Sequence, residues 1–111
     1  MTITVKVLIP AKTAEATQTT QYTANGVTTI IDKFTATNYS GTAATISVNL
    51  VTSADTAGNQ NLITKTKTLQ PSEVYTFPEL VGQVLSAGAF ISTIAGTASA
   101  INIRASGREV S

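Results

Sequence analysis

The sequence predicts an all-β fold: a β-sandwich of immunoglobulin-like or jelly-roll type, with about seven or eight strands and one short helix near residues 77–86. Three observations carry this expectation. Threonine fills 21 of the 111 positions, and its β-branched side chain fits a pleated, half-buried surface. Several segments alternate apolar and polar residues with period two, the pattern of a strand with one buried face. Turn residues (Gly, Pro, Asn, Asp) punctuate the chain about every 8–15 residues. A barrel is the second choice. The length suits one domain, 1–111, and is too short for two of ordinary size.

The first segment, Thr2 to Ile9, places Ile3, Val5, Val7 and Ile9 on one face, opposite Thr2, Thr4, Lys6 and Leu8. It reads as a half-buried strand that ends at Pro10, which has no N–H for a ladder. From Ala11 to Ala24 both faces are polar and Tyr22 is the sole large side chain. Ala11–Ala24 therefore reads as a loop plus a weak edge strand, or as an inter-subunit arm that would make residues 1–24 an N-terminal strand plus arm. Asn25-Gly26 is a turn, because both residues tolerate positive φ. The strand Val27–Asn38 puts Ile30, Phe34 and Ala36 on one face, and Asp32 on that same face calls for a bulge or a strand end. After the turn Asn38–Gly41 comes the cleanest alternation, with Ile46, Val48 and Leu50 inward and Thr45, Ser47 and Asn49 outward.

Ala54–Gln60 is a loop by composition. In Leu62–Leu69 the alternation sets Lys65 and Lys67 on one face and Thr64, Thr66 and Thr68 on the other, as an edge strand that discourages further pairing would have. Gln70-Pro71-Ser72 turns the chain into a short strand around Val74, Tyr75 and Phe77. Thr76-Phe77-Pro78-Glu79 has capping-box spacing, with Pro near the first helical position. Leu80, Val81, Val84 and Leu85 recur at helical spacing, and Gly88 lies where a left-handed cap is expected. Gly82 inside this stretch costs a helix about 1 kcal/mol relative to Ala. Phe90–Ala95 and Ala98–Ala105 are the last long strands, the second with Ile101 and Ile103 inward against Asn102 and Arg104. Gly107 to Val110 adds a short terminal pairing.

Composition bounds the chemistry. The chain has no Cys and no His, which removes disulfides, thiolate sites, the commonest general base and the commonest nitrogen ligand. Seven basic and six acidic residues give a net charge of +1, too balanced for a nucleic-acid or membrane-binding surface. Lys6 is followed by only Val7-Leu8-Ile9 before Pro10, far short of a signal-peptide core. No apolar run approaches the roughly 20 residues of a membrane span. The expectation is a soluble, non-catalytic β domain with no catalytic, cofactor-binding or metal-ligating residues and no cofactor.

The six carboxylates Glu15, Asp32, Asp55, Glu73, Glu79 and Glu109 show no spacing that sets two across a cleft, as glycoside hydrolysis needs. The loop Asp55–Asn61 carries oxygen ligands and a glycine, but it has one carboxylate and lacks EF-hand spacing, so a plain loop is favoured over a calcium site. Asn38-Tyr39-Ser40 matches the N-glycosylation pattern and reads as a turn. Tyr22, Tyr39 and Tyr75 could stack on sugars, but core and rim packing is favoured.

The runs Ile30-Ile31-Asp32-Lys33-Phe34-Thr35-Ala36-Thr37-Asn38 and Ile46-Ser47-Val48-Asn49-Leu50, and the stretch from Tyr75 to Leu85 followed by Gly88 and Ile91, resemble small proteins encoded in the structural-gene region of tailed bacteriophages. Asn102–Glu109 fits the same pattern, so the resemblance runs from Val27 to Val110. It brings no catalytic motif. It implies a virion structural protein: a capsid decoration or cement protein stabilising the head, or else a neck or tail accessory protein. It implies localisation in the virion after synthesis in the bacterial cytoplasm. The implied partners are copies of the chain itself, as a homo-oligomer, and other virion proteins such as the major capsid protein. A reading of another class is a carbohydrate-binding adhesion module, against which the low aromatic content speaks.

Overall fold

The computed structural model, covering residues 1–111, folds into two antiparallel sheets. In chain order the strands are β1 (Ile3–Thr13), β2 (Thr19–Thr23), β3 (Thr28–Asn38), β4 (Ala44–Val51), β5 (Leu62–Leu69), β6 (Val74–Tyr75), β7 (Val84–Leu85), β8 (Phe90–Ala95) and β9 (Ile101–Val110). A single 3-10 turn, Asn59–Asn61, leads into β5. One sheet runs β1-β9-β3-β6, with β7 also on the free edge of β3; the other runs β2-β8-β4-β5. Only β4 and β5 form a hairpin of sequence neighbours within a sheet. The molecule is elongated, 46 × 26 × 19 Å, because β1, β3 and β9 reach beyond the shorter second sheet. This is the expected β-sandwich, with nine strands where the sequence predicts seven or eight; the short strand expected around Val74 and Tyr75 is β6, and the unexpected one is the two-residue β7.

The core lies between the sheets. Phe34, Ala36, Ile103 and Ala105 face inward from one, and Ile46, Val48, Ile91 and Leu69 from the other, all buried. Phe34 meets Phe77 edge to face, with ring centroids 4.7 Å apart. The bulge expected near Asp32 is present: the β3–β9 register shifts between Ile31 and Lys33. It changes the phase of the strand, so Ile31 and not Ile30 is the inward isoleucine. In β4, Ile46 and Val48 point inward as expected, but Leu50 is only half-buried and lines a surface hollow with Ile63, Leu85 and Ala89.

The helix near residues 77–86 is absent. Two successive turns replace it, closed by Leu80 N–H to Phe77 O at 2.9 Å and by Gln83 N–H to Leu80 O at 3.1 Å. Gly82 takes φ +86° in the second turn, a conformation open to glycine and costly to others. The chain then bonds to β3, with Gly82 N–H to Ile31 O at 2.7 Å and Ile31 N–H to Gln83 O at 3.0 Å. The physical reason is competition. So short a helix with an interior glycine does not hold on its own, while the free edge of β3 offers backbone partners. Only half of the presumed apolar stripe is used: Leu80 and Leu85 are buried, and Val81 and Val84 are exposed.

Two other expectations are corrected. The face of Ile3, Val5 and Val7 is exposed, while both Leu8 and Ile9 are buried. The register against β9 shifts between Val7 and Ile9, which inserts Leu8 as an extra residue and inverts the strand. In β5, the lysines do not share a face. Thr66 has φ +45° and the register slips there, so that Thr64 lies opposite Val48 and Lys67 opposite Ile46, both on the inner side. Lys65 is left outside. β5 is nonetheless the edge strand it was expected to be.

Candidate interaction surface

Antiparallel partners project their side chains to the same side of a sheet, so the register defines the outer face of the five-stranded sheet row by row. One row is Val5–Arg108–Ile30–Val84, crossing β1, β9, β3 and β7. The next holds Ile3, Val110 and Thr28, and the one on the other side Val7, Ser106 and Lys33. Val5 is 83% exposed, Val84 56% and Ile3 53%. Val81 adjoins the patch beside Asp32 and Lys33. Two of its charges are paired: Arg108 Nη2 lies 3.0 Å from Asp32 Oδ1, and Arg108 Nε 3.0 Å from Asp32 Oδ2, while the exposed Lys33 stands at its margin. The result is an exposed, mainly apolar face with one closed ion pair within it and Lys33 at its edge. Exposed apolar side chains gathered on one face mark interaction sites. Sequence reasoning missed this surface because alternation reveals that two faces differ, not which one meets the core. The usable signal was the doublet Leu8-Ile9, which breaks the alternation where the strand inverts.

On the inner side of the same end, Glu109 accepts a hydrogen bond from Tyr22 Oη at 2.5 Å and faces Lys6 Nζ at 3.3 Å. The Tyr22 bond holds the carboxyl of Glu109 below its ordinary range, with Lys6 adding to the effect against some desolvation. Burial first, and the bond to Glu109 second, push the Tyr22 phenol up to about 12.

The other carboxylates each have their own partners. Glu15 accepts from Lys12 Nζ at 2.9 Å and Gln21 Nε2 at 2.9 Å, and the Lys12 bond is the main cause of its lowered pKa. Glu73 accepts from the Gln70 amide at 2.7 Å, closing the Gln70–Glu73 turn. Glu79, assigned from sequence to a helix cap, instead accepts from Tyr75 Oη at 2.6 Å and from Thr64 Oγ1. Asp55 accepts from the Thr56 amide at 2.8 Å.

The loop Asp55–Asn61 closes on itself. Asn61 Oδ1 accepts from Asn49 Nδ2 at 2.7 Å and from the Gly58 amide at 3.1 Å, and Asn61 Nδ2 donates to Thr56 O at 2.9 Å. These oxygens already accept from donors of the loop and from Asn49 of β4. Asn38 is fully buried, donating to Thr42 O at 2.8 Å and Leu69 O at 2.9 Å while accepting from Ser40. It organises the turn, and its amide is out of reach of a glycan. Of the tyrosines, Tyr22 is buried, Tyr75 packs on Phe77 at 4.6 Å under Lys67 Nζ at 4.8 Å, and Tyr39 is exposed. Residues 11–24 pair within the chain: β1 continues along β9 to Thr13, and β2 lies against β8. The intramolecular alternative is the one the structure contains.

An elongated antiparallel β-sandwich with one exposed apolar outer face is therefore the class of protein that the fold and the surface define. No family model, curated protein or solved structure matches the chain.

Proposed function

We propose that the chain is a bacteriophage virion structural protein, a decoration or cement protein that covers the capsid as a homo-oligomer and stabilises the head. The observation that carries the reading is the apolar outer face on which Ile3, Val5, Val7 and Val84 are exposed and Ile30 is half-buried. A structural subunit needs area that neighbours can cover, and apolar side chains favour being covered. The rest of the surface suits the same role. Charged residues are 12% of the chain, and a surface of Thr, Asn and Gln loses less on desolvation than one of ions. The resemblance of residues 27–110 to tailed-phage structural proteins points in the same direction.

The test is the copy number of this chain in purified particles of the phage that encodes it, measured by quantitative mass spectrometry. A number on the scale of the capsid subunits is the expected result. A handful of copies would move the protein to the neck or tail, and its absence from the particle would overturn the reading. Binding on a glycan array would favour the adhesion module instead.

A further inference from the structure

We infer that the N-terminal half of β1 is a self-pairing edge, through which a second copy of this chain extends the five-stranded sheet about a two-fold axis at Val5. The inference concerns the chain in solution and does not rest on the virion reading. It starts from the backbone. Thr2 and Ser111 exchange both of their hydrogen bonds, each at 2.9 Å. Antiparallel alternation then makes Thr4–Glu109 and Lys6–Gly107 the next bonded pairs. Ile3, Val5 and Val7 consequently aim their N–H and C=O groups away from β9. No other strand or loop of the chain meets them there.

The remaining sheet edges are blunted in recognised ways. β2 has five residues, and β6 and β7 have two each. β5 carries Lys65 and Lys67 and is broken by the positive φ of Thr66. β1 has 11 residues, and between Ile3 and Val7 it carries a single charge, Lys6. It alone has the length and composition to take another strand.

The sequence then selects the occupant and the register. The open backbone groups belong to odd-numbered residues, so odd must pair with odd. Setting Val5 against Val5 places Ile3 opposite Val7 and Lys6 opposite Thr4. All six apolar side chains then fall on the outer face, and about six backbone hydrogen bonds form across the axis. Sliding one way by two residues sets Lys6 against Lys6, and like charges directly opposite are destabilising. Sliding the other way sets Val7 against Met1, which lies outside the strand. The bulge at Leu8 ends the pairing on the far side. In the favoured register Lys6 of the second copy faces Thr4, whose other neighbour is Glu109, so the added cation approaches an existing carboxylate. The row Val5–Arg108–Ile30–Val84 becomes one continuous surface across two copies.

Sedimentation equilibrium of the full chain tests this, with the expected result a dimer. Val5→Pro removes an outward donor that the monomer does not use, and an edge strand tolerates proline there. It should leave the circular dichroism spectrum unchanged and give a monomer. Val5→Lys and Val5→Glu should each be monomeric alone, since each sets like charges at the axis, and should form a mixed dimer when combined. The chain has no cysteine. Val5→Cys should therefore give a disulfide-linked dimer under mild oxidation, while Val74→Cys, at a site 55% exposed, should not. A parent chain that stays monomeric at millimolar concentration overturns the inference. So does a Val5→Lys variant that dimerises as the parent does, which keeps the test open if Val5→Pro fails to fold. Dimerisation through β1 by a chain absent from virions would refute the particle and leave the edge.

Discussion

Tyr75 donates its phenolic hydrogen bond to Glu79 at 2.6 Å, and through it the connection between β6 and β7 is tied to β5, where Thr64 Oγ1 donates to the same carboxylate. Burial pushes the Glu79 pKa up, but the bonds from Thr64 and Tyr75, its own amide and the nearby Lys67 outweigh that and hold it below its ordinary value. Tyr75 responds in the opposite sense. The bond to Glu79, with burial behind it, raises its phenol to about 12.

Removing the carboxylate leaves two hydroxyls without their acceptor. Glu79→Ala is expected to destabilise by about 1–3 kcal/mol, the range for leaving a buried polar group without its partner. Thr76→Ala should stay within about ±0.5 kcal/mol, because Thr76 is exposed and caps nothing. Urea denaturation of the two variants decides between this arrangement and a helix capped by Thr76, which would make the threonine the costlier loss.

Stability should fall on both sides of a broad plateau. Glu15, Glu79 and Glu109 all have folded pKa values depressed below 4.5. Their contribution is present above the unfolded-state value and is lost as the pH falls through the folded one. Tyr22 and Tyr75, raised from 10.0 to about 12, contribute below pH 10 and lose that contribution between 10 and 12. Melting temperatures should therefore decline below about pH 4.5 and above about pH 10. Absorbance titration at alkaline pH gives the sharper check: two of the three phenols should ionise only near pH 12. Complete ionisation by pH 11 would mean that the two carboxylate–phenol bonds do not form.

Core substitutions should follow burial in the folded chain and not the alternation in the sequence. Phe34 is fully buried against Phe77, and Phe34→Ala should cost about 3–5 kcal/mol. Leu50 shares the inward phase of β4 but is half-buried, so Leu50→Ala should fall below about 2 kcal/mol, under the usual range for a buried leucine. Equal losses from the two would place Leu50 in a closed core.

Most of the strands were legible because period-two patterning and Gly/Asn turns are local. The turns at Asn25-Gly26 and Asn38–Gly41, the inward Ile46 and Val48, and the edge position of β5 all come from such signals. What was not legible depends on neighbours distant in sequence. Alternation in Ile3–Val7 could not reveal that β9 and β3 carry this face beyond the second sheet. Helical spacing in Leu80–Leu85 could not reveal that Ile31 would offer a carbonyl to Gly82. One-residue bulges at Leu8 and Thr66 reverse the faces after them, and neither position carries glycine or another residue that announces a bulge.

Gly107 marks the closest approach of β3 to β9. A Cβ there would lie 2.1 Å from Ile30 O and 3.0 Å from Leu8 Cδ1. The obstacle is backbone held in a ladder, so it cannot yield without breaking pairing. Gly107→Ala should therefore cost more than about 3 kcal/mol, beyond ordinary overpacking, or prevent folding. Gly26 is the matched control: it has φ +73° with nothing within 4 Å of a Cβ. Gly26→Ala should cost only the left-handed conformation, about 1–2 kcal/mol. Equal effects in chemical denaturation would mean that β3 and β9 do not approach so closely at Gly107.

Thr66 is a β-branched residue at φ +45° in the middle of an edge strand, a conformation that L-residues avoid. Its N–H donates to Ser47 Oγ at 2.8 Å instead of to the ladder, and the slip it introduces turns Thr64 towards Glu79 and Lys67 towards Tyr75. The strain thus serves both inner contacts of β5. Glycine would hold the same bulge without the left-handed penalty of about 1–2 kcal/mol, offset by about 0.5–1 kcal/mol of extra freedom in the unfolded chain. Thr66→Gly is expected to stabilise by up to about 1.5 kcal/mol, read as a higher urea midpoint at an unchanged slope. Thr66→Asn, which also tolerates the left-handed region, should move in the same direction. If Thr66 were an ordinary strand residue, Thr66→Gly would lose about 0.5–1 kcal/mol instead. That outcome would return Lys65 and Lys67 to a single face, and Lys67 could no longer lie over the ring of Tyr75.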